Sequence, residues 1–289
     1  MFCFKKTALS LLMGICFIVM NPLFAIDQMD FFGITVRWQG EDYIHEAQIK
    51  KLLVKLSEES KHYFDPDCRW RPLNEFGLCE NKFPQQVQEI TQLAEEYRQE
   101  TLGFFDVLYN KKTGTTAKRD FGGLWQGYSL QKIKEVISGK WILDFSGDIY
   151  TSELPCTENQ ITITDPVFDA INYVFVNINR GYVMASVAKD LGGKIQVPNA
   201  ISDATVEDDP NFILKVVLFA APTFEGARLD AWTTAIIAGG KKVIDHLWEL
   251  PEYRNQWAYF YFNSEGTPIC SKNIECNFAG KNRSVRVKF

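Results

Sequence analysis

Asp230 and Thr234, in the segment Asp230-Ala231-Trp232-Thr233-Thr234, are the residues whose types and spacing speak most directly of chemistry. A carboxylate and a hydroxyl four positions apart share one face of a helix, so their oxygens can converge on one ion. Oxygen donors of this kind suit Mg²⁺, which takes few protein ligands and completes its shell with phosphate and water. A plainer reading fits the same aspartate: an N-terminal helix cap with no metal. In Asp120 to Gly127 the glycines Gly122, Gly123 and Gly127 lead into a helix and would let a ligand approach backbone N–H groups at its positive end. The segment lacks the GxGxxG spacing and follows no clear strand, so a tight turn is its alternative. Aromatic rings sit beside carboxylates in Gly103-Phe104-Phe105-Asp106 and in Phe64 to Asn74. Such groups can hold a flat heteroaromatic ring and bond its polar edge, or form core with a turn aspartate.

Elements able to position these residues are legible from periodicity. Gly33 to Trp38 reads as a strand, and Ile49, Leu52, Leu53 and Leu56 recur at helical spacing. Pro84 opens a second helix carrying Val87, Ile90, Leu93, Ala94 and Tyr97 on one face, Pro being well placed in a first turn. A third helix, with Leu130, Ile133, Val136 and Ile137, is expected after the glycines and to stop at Gly139. The pattern then turns to alternation. Tyr173 to Ile178 and Tyr182 to Ala185 flank Asn179, Arg180 and Gly181, a hairpin signature. Phe212 to Ala220 reads as a buried strand, Ala231 to Ala238 and Val243 to Leu250 as helices, and Trp257 to Phe262 as a last aromatic strand. An α+β domain, with mixed or antiparallel sheets covered by helices, is the economical fold class.

The N-terminus adds a compartment. Lys5 and Lys6, an apolar run from Ala8 to Met20, Pro22 and the small residue Ala25 have the layout of a secretory leader. The run is shorter than the roughly 20 residues a bilayer span needs, which favours cleavage after Ala25 over a permanent anchor; an uncleaved leader would tether the chain to the membrane. The expected division is therefore a leader over 1–25 and one domain over 26–289. The chain carries a formal charge of -5, and losing Lys5 and Lys6 makes it more negative, which argues against a nucleic-acid partner. Of seven cysteines, Cys68, Cys79, Cys156, Cys270 and Cys276 remain beyond the leader. Cys68 with Cys79 and Cys270 with Cys276 are local candidate disulfides, and one thiol is left over. Three histidines and no doubled CxxC argue against structural zinc.

Taken in order, the segments resemble the motifs of the ApbE-type FAD:protein FMN transferases, a family of exported or membrane-anchored flavin enzymes. Phe64 to Asn74 resembles the family's early aromatic-PDS-Asn motif, Gly103 to Asp106 its GAFD, and Asp120 to Gly127 its DLGGxAKG. Asp144 to Ile149 is similar to its xLGGDI strand turn, and Asp230 to Thr234 to its DAxxT metal motif; Ile163 to Pro166 and Ser186 fit weaker positions. The resemblance covers about Phe32 to Phe262. It implies Mg²⁺ as cofactor and FAD as substrate, with FMN passed to a threonine of an acceptor protein and AMP released. It implies that Asp230, Thr234 and a backbone oxygen of the Gly123 to Trp125 turn hold the metal. Phe32, Phe64, Phe104, Phe105 and Asp106 would line the flavin site, with Asp120 and Gln126 near the rest of FAD. The sequence departs from the family at Gln126 (Lys there), Trp125 (Ala), Ser146 (Gly) and Val187 (Gly). In Lys194 to Ile201 only Pro198 of the HxxDPxTG motif remains.

Overall fold

The structure is a computed structural model and describes residues 16–19, 27–31, 34–40, 43–63, 85–107, 121–152, 160–164, 173–190, 195–196, 211–279 and 283–287. Its central layer is an eight-stranded antiparallel sheet. In chain order the strands are β2 (Asp27–Phe31), β3 (Ile34–Gly40), β4 (Trp141–Phe145), β5 (Asp148–Thr151), β8 (Gly181–Val187), β11 (Ile213–Ala220), β12 (Trp257–Asn263) and β13 (Pro268–Cys270). In space they run β13-β12-β11-β8-β5-β4-β3-β2. A second, five-stranded sheet has the order β1-β6-β7-β15-β14, from Cys16–Val19, Gln160–Thr164, Tyr173–Asn177, Arg283–Val287 and Ile274–Asn277. All its pairs are antiparallel except β7 with β15. Lys189–Asp190 (β9) and Ile195–Gln196 (β10) form a separate short ladder. This is the α+β class expected from the sequence. β1 comes from the segment read as a leader; cleavage after Ala25 would remove it and leave β6 at the sheet edge.

Alternation along the central strands divides two cores, because successive side chains point to opposite faces. Trp141, Leu143, Phe145, Tyr150, Tyr182, Met184, Val216, Leu218, Trp257 and Tyr261 face the helices. Ile142, Ile149, Val183, Val217, Phe219, Ala258, Phe260 and Phe262 face the second sheet, meeting Ile161, Ile163, Val174, Val176, Val285 and Val287. The molecule is thus three layers: helices, sheet, sheet. The helices are α1 (Tyr43–Tyr63), α2 (Gln85–Glu100), α3 (Gly122–Lys134), α4 (Gly226–Gly239) and α5 (Lys241–Glu249). The expected buried faces Ile49, Leu53, Leu56 of α1 and Ile90, Ala94, Tyr97 of α2 are all in the core.

Two expectations are corrected. Tyr173 to Ala185 is no hairpin: β7 lies in the five-stranded sheet and β8 in the eight-stranded one, so the turn at Asn179 to Gly181 carries the chain between layers. Alternation shows that two strands are half-buried, and says nothing of which partner each will take. The third helix starts at Gly122 and ends at Lys134, so the glycines lie inside it and Val136 is 56% exposed beyond it. Glycine costs a helix about 1 kcal/mol per residue, and here the contact with α4 requires it. A Cβ on Gly127 would lie 2.2 Å from the Gly226 carbonyl oxygen and 2.7 Å from Asp230 Cβ, and one on Gly226 would lie 2.5 Å from the Gly127 carbonyl oxygen.

Cys270 and Cys276 form the expected disulfide, joining β13 at the edge of one sheet to β14 at the edge of the other. Cys68, Cys79 and Cys156 lie outside the described residues.

Two stability outcomes are expected by chemical denaturation. Gly127→Ala gains about 1 kcal/mol of helix propensity but must force α3 from α4, and overpacking of about 1–3 kcal/mol dominates, for a net loss of about 1 kcal/mol. In the two-residue turn between β4 and β5, Ser146 sits at φ 54°. Ser146→Gly relieves a conformation that costs about 1 kcal/mol but removes the 3.0 Å bond from Ser146 Oγ to the Thr35 carbonyl, worth about 1 kcal/mol, so its net effect should be within about 0.5 kcal/mol of zero.

Candidate functional site

The crossing of α3 and α4 carries the three residues expected to hold a metal on the facing sides of two helices. Gly226, Asp230 and Thr234 follow at intervals of four along one face of α4, as Gly123 and Gly127 do on α3. Asp230 Oδ2 accepts a 2.9 Å hydrogen bond from the Gly127 N–H. Thr234 Oγ1 lies 3.3 Å from the Gly123 carbonyl oxygen, and a Cβ on Gly123 would stand 2.6 Å from that hydroxyl. Thr234 is thus in contact with Gly123, while Asp230, one turn earlier on the same face of α4, bonds Gly127, one turn later on α3. The helix-cap alternative for Asp230 does not hold: Glu225 is the residue at the N-cap, and Asp230 lies within the helix at 3% exposure.

A residue not singled out from the sequence completes the acidic center. Asp148, first in β5, is buried, and its Oδ1 accepts a 3.0 Å bond from the Ala185 N–H. Burial pushes its carboxyl well above the ordinary carboxylate range, and the charge of Asp230 pushes it further, against the opposing Ala185 N–H. Burial likewise raises Asp230, to about 7, with the Gly127 and Gln126 N–H groups opposing. Asp144 rises to about 6 through burial, tempered by the Gly147 N–H at 2.7 Å and by Arg37 at 3.4 Å. The available signal for Asp148 was a carboxylate opening a strand directly after Ser146-Gly147, which is also how a turn aspartate reads. Beside it, Ser186 Oγ lies 2.8 Å from Thr233 Oγ1, which donates to the Asp230 carbonyl at 2.7 Å.

The donor set fits Mg²⁺. It consists of a carboxylate, a hydroxyl and a backbone carbonyl, all hard oxygens. Among the described residues no cation is among the causes acting on Asp148 or Asp230, so a divalent ion would favour the ionised form of both buried carboxyls. Among the described residues no group of three or more His, Cys, Asp or Glu side chains forms a metal cluster. An ion here would rest mainly on one carboxylate and neutral oxygens, leaving coordination positions open.

The other expected site residues are dispersed. Gln126 donates from Nε2 to the Phe145 carbonyl at 3.0 Å, tying α3 to the turn that carries Asp148. Trp125, where a small residue was expected, is buried and meets the Phe145 ring edge-on at 6.3 Å between centroids. Phe104 is half-buried, against Gly239 at the far end of α4, about 7 Å of helix rise past Thr234. Lys242 Nζ stands 5.6 Å from its ring centroid. Phe105 is a fully buried core residue, and Asp106 is half-buried within reach of the Arg98 charge. Phe32, Phe64 and Asp120 lie outside the described residues, as does most of Lys194 to Ile201.

Solved structures with the same arrangement identify the architecture. The chain has the fold of the ApbE flavin transferases. It superposes on the flavin transferase ApbE from Vibrio cholerae with a TM-score of 0.62 at 11% identity, over 86% of this chain and 97% of that one. The ApbE protein from Thermotoga maritima gives 0.58 at 14% identity, over 86% and 97%. The flavinyl transferase ApbE from Pseudomonas stutzeri, in its apo form, gives 0.57 at 14%, over 88% and 97%. No protein-family model matches the sequence, and no curated protein sequence matches it. In this chain Asp230 to Thr234 lies on α4 and Gly122 to Gly127 on α3, the two elements that cross.

The acidic center gives a pH dependence with a definite sign. Asp144 and Asp230 hold their protons more tightly folded than in the unfolded chain, where a carboxyl titrates at about 4. Their contribution is complete below pH 4 and is lost as the pH rises through about 6 and 7. In metal-free buffer, denaturation midpoints should therefore fall between pH 5 and 8. Asp148→Asn keeps the acceptor for Ala185 and removes a like charge, so its midpoint should fall less; an equal fall would show that the two carboxyls do not interact.

Proposed function

We propose that the protein is a Mg²⁺-dependent FAD:protein FMN transferase that works outside the cytoplasm. The observation that supports this most is the crossing of α3 and α4 in an ApbE fold, where Thr234 contacts the Gly123 carbonyl and Asp230, one turn away on the same face, contacts Gly127. In the reaction a threonine hydroxyl oxygen of the acceptor protein bonds to the FMN-side phosphorus of FAD. The bond from that phosphorus to the bridging oxygen breaks, AMP leaves with the electron pair, and the threonine proton is released. Mg²⁺, held by Asp230, Thr234 and the Gly123 carbonyl, would supply charge neutralisation at the diphosphate.

The chain's own residues do the positioning. Gly127 fixes the Asp230 carboxylate through its N–H, and the absence of a side chain at Gly123 lets the Thr234 hydroxyl face the carbonyl. The glycine-opened start of α3 offers backbone N–H groups and the positive end of the helix to an anion. Of the flavin-binding set that the resemblance implies, Phe104 and Asp106 are half-buried and available, Phe105 is taken up by the core, and Phe32, Phe64 and Asp120 lie outside the described residues. Gln126 is neutral, so charge relief at the phosphates falls on the metal and the helix end. The leader and the Cys270–Cys276 disulfide support export to the periplasm or its membrane face, an oxidising compartment. Among the described residues no helix is long and apolar enough to cross a membrane.

A second reading, a flavin-binding protein of this fold that does not transfer FMN, is favoured by the amide of Gln126, which is engaged with Phe145 where the family carries a lysine.

The test is incubation of the purified chain with FAD and Mg²⁺, with and without a flavinylatable acceptor domain, following AMP release and covalent flavin fluorescence. Labelling that needs acceptor and Mg²⁺ together is expected, and Asp230→Ala should abolish it. Wild-type labelling by that variant would refute the metal assignment. A rise in melting temperature with FAD but no AMP would favour the second reading.

A further inference from the structure

We infer that Arg228 is the positioning residue through which the metal-holding helix α4 orders the aromatic loop 101–107, so that an ion at one end of the site tightens the flavin end. This rests on the flavin-transfer reading above. Arg228 lies half a turn before Asp230, with a side chain only 9% exposed. Its guanidinium pairs with Glu96, with Glu100 at 3.1 Å and with Glu225 at 2.8 Å. It is also sandwiched between the rings of Tyr97, at 5.2 Å, and Tyr253, at 4.8 Å. Glu100 accepts further bonds from Trp232 Nε1 at 3.2 Å and the Tyr253 hydroxyl at 3.1 Å, so it is gripped by two residues of α4.

Glu96, Tyr97 and Glu100 form the last turn of α2, and the loop grows directly from it. Thr101 Oγ1 donates to the Tyr97 carbonyl at 2.7 Å and accepts from the Phe105 N–H at 3.1 Å, while the Phe104 N–H donates to the Thr101 carbonyl at 3.0 Å. Phe104 then returns to Gly239 at the other end of α4. The loop is thus attached to α4 at both ends, with Asp230 and Thr234 between.

Chemistry selects arginine for this junction. One planar fork with five donors can serve three carboxylates and stack on two rings at once, which the point charge of a lysine cannot. The bonds are charge-assisted and short of water on the Glu100 side, whose side chain is 16% exposed, so they are stronger than surface ion pairs. A displacement of α4 is therefore passed to the end of α2 instead of being absorbed by a free side chain.

Hydrogen exchange read by mass spectrometry tests this with Mg²⁺ alone as the probe. In the natural protein Mg²⁺ should slow exchange both in 226–234 and in 101–107. In Arg228→Met the helix response should remain and the loop response should drop relative to it, with Arg228→Lys intermediate. If Arg228→Met does not fold, Arg228→Lys and Glu100→Gln provide the same comparison. A loop response that keeps its proportion to the helix response in the variants would overturn the inference, and so would a natural protein whose helix responds while its loop does not. No response in either segment would remove the metal reading itself, and this inference with it.

Discussion

The approach of α3 to α4 at backbone distance is the constraint on which the rest depends. Gly127 and Gly226 leave no room for a Cβ on either side, and the contact sets the register in which Asp230 reaches the Gly127 N–H and Thr234 reaches the Gly123 carbonyl. Several glycines in helices cost about 1 kcal/mol each in propensity. The cost is offset because α4 is buried along nearly its whole length, between the central sheet, α3 and α2. A looser crossing would place the same side chains too far apart to share an ion.

That burial also sets the electrostatics. Removing Asp230 and Asp148 from water raises both carboxyls, and each makes the other harder to ionise. Two facing buried acids are costly unless a proton or a cation accompanies them. Arg228, on the same helix, is the opposite case: a buried cation surrounded by Glu96, Glu100 and Glu225 and held between two tyrosines. The helix thus carries a buried carboxylate toward α3 and, toward α2, a buried arginine outnumbered by three glutamates.

Departures from the ApbE motifs fall around this center and leave the crossing itself intact. Trp125 is accommodated by burial against Phe145, and Gln126 bonds the carbonyl of that same residue. Both changes knit α3 to the β4–β5 turn, where Ser146 takes a left-handed conformation and donates to the Thr35 carbonyl at 3.0 Å. The wall beside Asp230 is thereby built from hydrogen bonds and packing, with no lysine at position 126.

From the sequence alone came the spacing of Asp230 and Thr234, the buried strand ending at Ala220, the aromatic strand from Trp257, the Cys270 and Cys276 pair, and the α+β class. These follow from local periodicity and short separations, which a chain carries in its order of residues. Tertiary structure decided the rest. Glycine content argued for a break before α3, yet the helix begins at Gly122, because a neighbouring helix rewards what local propensity penalises. Alternation made a hairpin of Tyr173 to Ala185, yet the two strands entered different sheets, because periodicity reports that a face is buried and not what buries it. Asp230 had a helix cap as its alternative reading, and Asp148 was not singled out at all. Only the packing of α4 on α3 and of β5 on β8 brought the two carboxylates from distant parts of the chain into one dry center, where their charge acquires a function.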